Sequence, residues 1–196
     1  MTESQLNNKL DEYTQRHRFW TNLVLNQFGF SLNLFITISI GFLGYLISTK
    51  DKYPEIVIDF NQSVNWNLVF YVFTLILVFI SILSGSISII SRLYDLRLTR
   101  HIIWTRKAVF KKLNKFLPDS YINLKNESLI RTFIKVIFFK IEFIGEINAD
   151  NFESIKLQFE NIRKQSKILG RISWRAHKVQ IVILVISVLI YGFTIF

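Results

Sequence analysis

The sequence predicts an all-α integral membrane protein, three hydrophobic helices carrying a cytoplasmic antiparallel helical stalk. Three observations predict it. The first is the placement of charge along 196 residues that are 51% apolar: Phe19–Thr49, Phe60–Ser91 and Val179–Phe196 contain no Asp, Glu, Lys or Arg. A helical span needs about 20 mostly apolar residues, so the first two blocks exceed that length and the third, 18 residues long, is just sufficient. The second is helical three-four spacing of apolar residues in the segments between those blocks. The third is a charge asymmetry. The net charge of +10 divides into zero for the N-terminal segment, −1 for the loop between the first two blocks, and +11 for residues 92–178.

Lys and Arg are retained on the cytoplasmic side and count most near the ends of a span. Arg92, Arg97 and Arg100 follow the second block and Arg171, Arg175 and Lys178 precede the third, so residues 92–178 are expected inside, with the N-terminus, and the 50–66 loop outside. Phe196 then emerges outside if the last block crosses, and stays inside if it folds back. Three regions follow: 1–91, an N-terminal helix and two transmembrane helices; 92–178, a basic cytoplasmic helical region; 179–196, a C-terminal transmembrane helix.

Taken in order, Leu6, Leu10, Tyr13, Phe19, Trp20, Leu23 and Val24 predict one helix entering the membrane, with Arg16, His17, Arg18 and Trp20 at the headgroups. Acidic Glu3, Asp11 and Glu12 argue against a cleaved signal peptide. In the first span Asn33, Thr37, Gly41 and Gly44 give one small or polar face. Pro54 and Asn61 mark the loop, which ends at Trp66. In the second span Ser81, Ser84, Ser88 and Ser91 fall at spacings of three, four and three beside Gly85. No breaker separates Asn67 from Pro118, so the helix is expected to continue past the membrane on a stripe of Leu96, Thr99, Ile103, Arg106, Phe110, Leu113 and Leu117, until Pro118 and Asp119 stop it.

After Asn126, Glu127 and Ser128 comes LIRTFIKVIFFKIEFIGEI, with Arg131, Lys135 and Glu142 on a narrow polar stripe. It suits a membrane-surface helix or the tip of a bundle, its β-branched content also allows a strand, and Gly145 closes it. Asn148 or Asp150 is expected to cap the last helix, whose stripe is Phe152, Ile155, Phe159, Ile162, Ser166 and Leu169. The two striped helices are expected to pair antiparallel, one leaving the membrane and one returning.

Absence of Cys excludes disulfides, thiolate metal sites and a Cys nucleophile, and His17, His101 and His177 lie too far apart for a zinc ligand set. No catalytic motif is present. The nearest candidates are Asp95 with His101 and Glu142 with Glu146, one helical turn apart; helix surfaces produce such pairs routinely, and neither enzymatic activity nor a cofactor is expected. Two faces remain. Asn33, Thr37, Ser81, Ser84, Ser88 and Ser91 read either as close helix packing or as the lining of a watery path in an oligomer. Arg97, Arg100, His101, Trp104, Lys107 and Lys111 read either as a docking face for nucleic acid or anionic lipid, or as the positive charge that topology requires.

The polar N-terminal helix with RHRFW, the two closely spaced spans and the run SGSISIISRLYDLRLTRHIIWTRKAVFKK resemble the SLATT proteins of bacterial conflict systems, over about residues 4–115. The resemblance implies a homo-oligomeric effector of antiviral defence in the bacterial inner membrane, permeabilising it when a partner protein, nucleotide or nucleic-acid signal reports infection. The residues by themselves support an oligomer-prone membrane protein in contact with lipid. The alternative is an anchor or scaffold whose basic stalk recruits a soluble enzyme or nucleic acid. A transporter is disfavoured, since no ionisable residue lies within a span to couple an ion.

Overall fold

A computed structural model describes residues 3–53, 65–118, 122, 124, 128–139, 141 and 143–194, with 3–14, 16, 17 and 20 described by backbone alone. Those residues form four helices: α1, Glu3–Ser48; α2, Trp66–Leu113; α3, Leu129–Phe138; and α4, Phe152–Gly192, with a 3-10 turn at Lys50–Lys52. No strand occurs among them. Expectations for the side chains of Leu6, Leu10, Tyr13, Arg16, His17 and Trp20, and for Pro54, Asn61, Asp119, Asn126, Glu127, Glu142 and Phe196, lie outside the described residues. Among the described residues three stretches are long and apolar enough to cross a membrane: Thr21–Ser48 within α1, and the helices α2 and α4. At 1.5 Å per residue, the 48 residues of α2 extend about 72 Å, more than twice a bilayer core of roughly 30 Å.

The helix boundaries correct the sequence expectations in three places. α2 stops at Leu113, ahead of Pro118, because Asn114 turns into the left-handed region at φ 51° and donates its N–H to Phe110 O at 3.0 Å. Asn is the non-glycine residue that adopts this conformation most readily, and the turn closes the last carbonyls. α3 is helical and not a strand, with Ser128 Oγ accepting from Arg131 N–H at 3.4 Å as its cap, but it ends at Phe138 and does not run on to Gly145. Residues 143–148 leave helical geometry, and the Ile144 N–H finds the His101 ring as its acceptor in place of a helical carbonyl. α4 begins one residue beyond the expected caps. Asn151 supplies the first backbone acceptor, to Ile155 N–H at 2.9 Å, and its side chain ties the loop by accepting from Asn148 N–H and donating to Glu146 O.

The chain divides by contact into two compact units, Met1–Phe79 with Ser187–Phe196, and Ile80–Ile186. In the first, Phe28, Leu32, Ser39, Leu46, Tyr71, Thr74, Val78, Ser187 and Tyr191 are buried. Aromatic rings gather where the C-terminal end of α1, the N-terminal end of α2 and the C-terminal end of α4 meet. Tyr53 stacks on Tyr71 at 4.1 Å, Tyr191 sits edge-on to Phe42 and Tyr45, and Phe70 lies 6.4 Å from Phe193. The phenols also bond: Tyr71 to Leu46 O at 2.7 Å, Tyr53 to Thr194 Oγ1 at 3.1 Å. Rings with a polar tip suit a membrane–water interface.

In the second unit α2 and α4 pair along buried positions seven residues apart. Ser81 meets Gln180, Ser88 meets Ser173 and Asp95 meets Ser166, so partner numbers descend along α4 as they ascend along α2. Further on the seam turns apolar, with Leu98, Val109, Ile155, Phe159, Ile162 and Leu169 in one core that also takes Leu117, Val136, Ile144 and Ile147. The expected α4 stripe is the buried one. The expected α2 stripe is displaced by one position: Leu96, Ile103 and Phe110 are exposed, and Asp95, Leu98, Thr105 and Val109 are inside. The polar seam sets that register, because Ser81, Ser88 and Asp95 share one face and Leu96 cannot.

The left-handed stop at Asn114 makes a simple test. Asn114→Gly is expected to leave the thermal unfolding midpoint in detergent, followed by circular dichroism, within error or slightly raised. Asn114→Val forces a β-branched residue to positive φ and is expected to cost about 1–2 kcal/mol.

Candidate functional site

The most unusual feature of the structure is a polar seam inside its apolar half. Ser88 and Ser173 exchange hydrogen bonds, Ser88 Oγ donating to Ser173 O at 2.8 Å and Ser173 Oγ donating to Ser88 O at 3.0 Å. One heptad away Ser81 Oγ donates to Gln180 O at 2.9 Å. Each pairing satisfies a hydroxyl across the helices, and a seryl side chain is small enough to permit it. The Gln180 side chain is fully buried. Its amide end lies 3.1 Å from His177 Nδ1, and the two side chains hydrogen-bond inside the seam. Gln180 Nε2 and Ser91 Oγ are buried without a hydrogen-bond partner among the described residues.

Asp95 closes the seam on the charged side. It is 9% exposed, accepts from Ser166 Oγ at 2.7 Å, and pairs with Arg92 at 2.7 Å. Gly170 faces it so closely that a Cβ there would stand 3.3 Å from Asp95 Oδ2. A carboxylate taken out of water needs this combination of a cation and a hydroxyl donor.

The expected small-residue face is thus distributed. Ser81, Ser88 and Ser91 are buried in the second unit and Ser84 is half-buried there, whereas Asn33 and Thr37 are exposed on α1 in the first unit. Sequence reading placed Ser166 on the buried α4 stripe but missed Ser173, His177 and Gln180 as its continuation. The signal was available, since Ser166, Ser173 and Gln180 recur every seven residues opposite Ser81, Ser88 and Asp95.

The basic face stands outward. Arg97, Arg100, Trp104, Lys107 and Lys111 are exposed, and His101 is half-buried. His101 acts as a clamp. Ile144 N–H donates to its Nε2 at 3.1 Å, Phe143 packs edge-on at 4.7 Å, Trp104 stacks at 5.5 Å, and the Arg97 guanidinium lies 5.1 Å over the Phe143 ring. Asp95 and His101 take different hydrogen-bond partners, Arg92, Thr99 and Ser166 for the first and Thr105 and Ile144 for the second, and no cluster of three metal-ligating side chains occurs among the described residues. Glu142 lies outside the described residues, and its pairing with Glu146 is left there.

Burial holds the His101 pKa below its ordinary 6.5, and only the ring with an unprotonated Nε2 can accept from Ile144. The unfolded chain therefore takes up the proton first as pH falls. The clamp's stabilisation is full above about pH 6.5 and is lost as pH drops through the lowered folded value. Hydrogen exchange at the Ile144 amide, corrected for its intrinsic rate, is expected to rise about five- to tenfold over that fall, the equivalent of one hydrogen bond. His101→Gln should make the corrected rate independent of pH in that range.

Compared with known proteins, the chain matches no family model, no curated protein and no solved structure, so the roles of the seam and of the basic face rest on their own geometry.

Proposed function

We propose that the protein is a non-enzymatic membrane effector: a homo-oligomer in the bacterial inner membrane whose antiparallel α2–α4 pair extends into the cytoplasm as a stalk and, when triggered there, repacks the spans and opens a leak in antiviral defence. One observation carries this reading. The same pair of helices holds a polar seam where its outer faces are apolar and an apolar core where its outer faces mix charged with apolar side chains, with Asp95 between them. A helix without a break transmits a rotation or shift at its charged end to Ser88 and Ser81. Seams of small hydroxyl residues have shallow packing preferences, since interhelical hydrogen bonds in membranes contribute only about 0.6 kcal/mol on average. Displacement would hand Gln180 and the seryl hydroxyls to water. Asn33 and Thr37, exposed midway along the Thr21–Ser48 stretch, support assembly of several copies, because an amide at membrane depth needs a partner.

The topology belongs to the same proposal: N-terminus and residues 92–178 inside, the loop after α1 outside. The close approach of Tyr53 to Thr194 supports a last span that exits beside that loop.

The exposed row of Arg97, Arg100, Trp104, Lys107 and Lys111 favours a second reading, an anchor whose basic stalk recruits a soluble enzyme or a nucleic acid. Under it, Arg97→Glu with Arg100→Glu and Lys107→Glu abolishes partner capture by the full-length protein, and changes within the spans are silent.

The leak is tested by inducing the full chain in bacterial cells, with and without phage challenge, and following membrane potential and uptake of a membrane-impermeant dye. Challenged cells are expected to depolarise and take up dye; a potential that stays intact under both conditions contradicts the effector reading. Ser88→Leu, which overfills the seam, should suppress the leak at least tenfold, and Ser88→Ala, which keeps the space, should retain most of it.

A further inference from the structure

α3 presents a surface that the core does not explain. Val136 points into the core and Leu129, Thr132, Phe133 and Ile137 are half-buried, yet Ile130, Ile134, Phe138 and Phe139 are exposed, at 74%, 44%, 75% and 66%. Alongside them, one helical turn apart, stand exposed Arg131 and Lys135. The sequence LIRTFIKVIF contains no acidic residue. Together with Ser128, most of these residues line an open groove of about 710 Å³. Four large apolar side chains turned to water are costly, about 25 cal/mol for each Å² left uncovered, so the face calls for an occupant.

Position along the helix pair identifies the occupant. The chain leaving α2 doubles back: Arg106 and Arg163 both donate to Pro118 O, at 3.2 and 2.8 Å, and Lys167 donates to Ile122 O at 3.2 Å. Lys167 neighbours Ser166, the partner of Asp95. Past α3, Ile144 is tied to His101. α3 is therefore strung between attachments near Asp95 and at His101. These lie roughly 6 and 15 Å of helix rise beyond Ser91, the last residue of the charge-free block. That is the depth of headgroups and the water just above them. Exposed Leu93 and Leu96 on α2 and exposed Trp174 on α4 mark the same zone.

We propose that α3 is an interfacial anchor, its outer face of Ile130, Ile134, Phe138 and Phe139 seated on an acidic phospholipid surface with Arg131 and Lys135 on the headgroup phosphates. The surface is that of the leaflet from which α2 and α4 emerge, so the inference rests on the membrane reading above. An amphipathic helix with cations beside its apolar face is the arrangement that gains from both burial and an anionic leaflet. Held there, α3 couples the stalk to the membrane plane, and its release would free the segment that His101 clamps.

The chain contains no Cys, which permits single-cysteine reporters in the full-length protein. Ile134→Cys, Leu189→Cys and Asp150→Cys are each labelled with an environment-sensitive fluorophore and reconstituted into vesicles. One set is phosphatidylcholine alone and the other contains about three parts in ten phosphatidylglycerol, both with nitroxide-bearing lipids as quenchers. The Leu189 reporter should be quenched in both compositions and the Asp150 reporter in neither. The Ile134 reporter should be quenched strongly in the acidic vesicles and weakly in the neutral ones. Arg131→Gln with Lys135→Gln should lower its seated-to-lifted ratio roughly 25-fold, about fivefold for each charge at a charged leaflet. An unquenched Leu189 reporter overturns the membrane reading and the anchor with it. A quenched Leu189 beside an unquenched Ile134 overturns the anchor alone, as does equal quenching of Ile134 in both vesicle types. Shielding of Ile134 that depends on protein concentration and not on lipid assigns the face to a second copy and also overturns it.

Discussion

The α2–α4 pair depends on one constraint: in its apolar half the hydroxyls of Ser81, Ser88 and Ser173 are satisfied by backbone carbonyls of the opposite helix. Ser88 and Ser173 do this reciprocally, and one heptad away Ser81 Oγ donates to the Gln180 carbonyl. The outer surface of the same half carries Ile80, Leu83, Ile87 and Ile90 on α2 and Val179, Val182, Val185 and Ile186 on α4. A protein in water puts such residues inside and the serines outside. The inversion is what lipid demands, since apolar burial between helices gains little when the surroundings are apolar too. Beyond Asp95 the inside turns apolar, with Leu98, Val109 and Phe159 buried, and the outside carries Arg97, Arg100 and Lys107 beside exposed Leu96, Ile103 and Phe110.

Asp95 is the joint between these regimes. Its carboxylate is held by Arg92 on its own helix and Ser166 on the other, and the space it occupies exists because Gly170 has no side chain. A buried ion pair of this kind contributes less to stability than to register, because its desolvation offsets much of its Coulombic attraction. That suits an element whose proposed task is to shift. In that proposal the apolar core on the charged side, reinforced by Arg106 and Arg163 converging on Pro118 O around the Phe159 ring, is the handle, and the seam of small residues and hydroxyls is the part that gives.

Much of this was legible in the sequence, and the failures have physical causes. Three charge-free blocks were enough to find the long apolar helices, and the three-four spacing from Ile155 to Leu169 found the buried face of α4. On α2 the same method slipped by one residue. Leu96, Ile103 and Phe110 are as apolar as Leu98 and Val109, so periodicity alone could not choose between adjacent stripes; the choice is made by Ser81, Ser88 and Asp95 pairing with α4. The serines were visible as a face, but their partners Gln180 and Ser173 were passed over, because their seven-residue recurrence with Ser166 gains meaning only once the opposite helix is known. His101 was read as part of an outward face. Its role as acceptor for an amide 43 residues away leaves no local trace. The stop at Asn114 was hidden by the stronger signal of Pro118.

The inversion across Asp95 can be measured directly by placing single spin labels along α2, from Val69 to Lys111, in the full chain reconstituted into vesicles, and recording accessibility to oxygen and to a water-soluble nickel complex. The account predicts oxygen maxima at Phe73, Ile80 and Ile87 and minima at Thr74, Ser81 and Ser88, followed beyond Asp95 by maxima for the nickel complex at Arg100 and Lys107. Nickel accessibility at Phe73, Ile80 and Ile87, or oxygen maxima at the seryl positions, would contradict it.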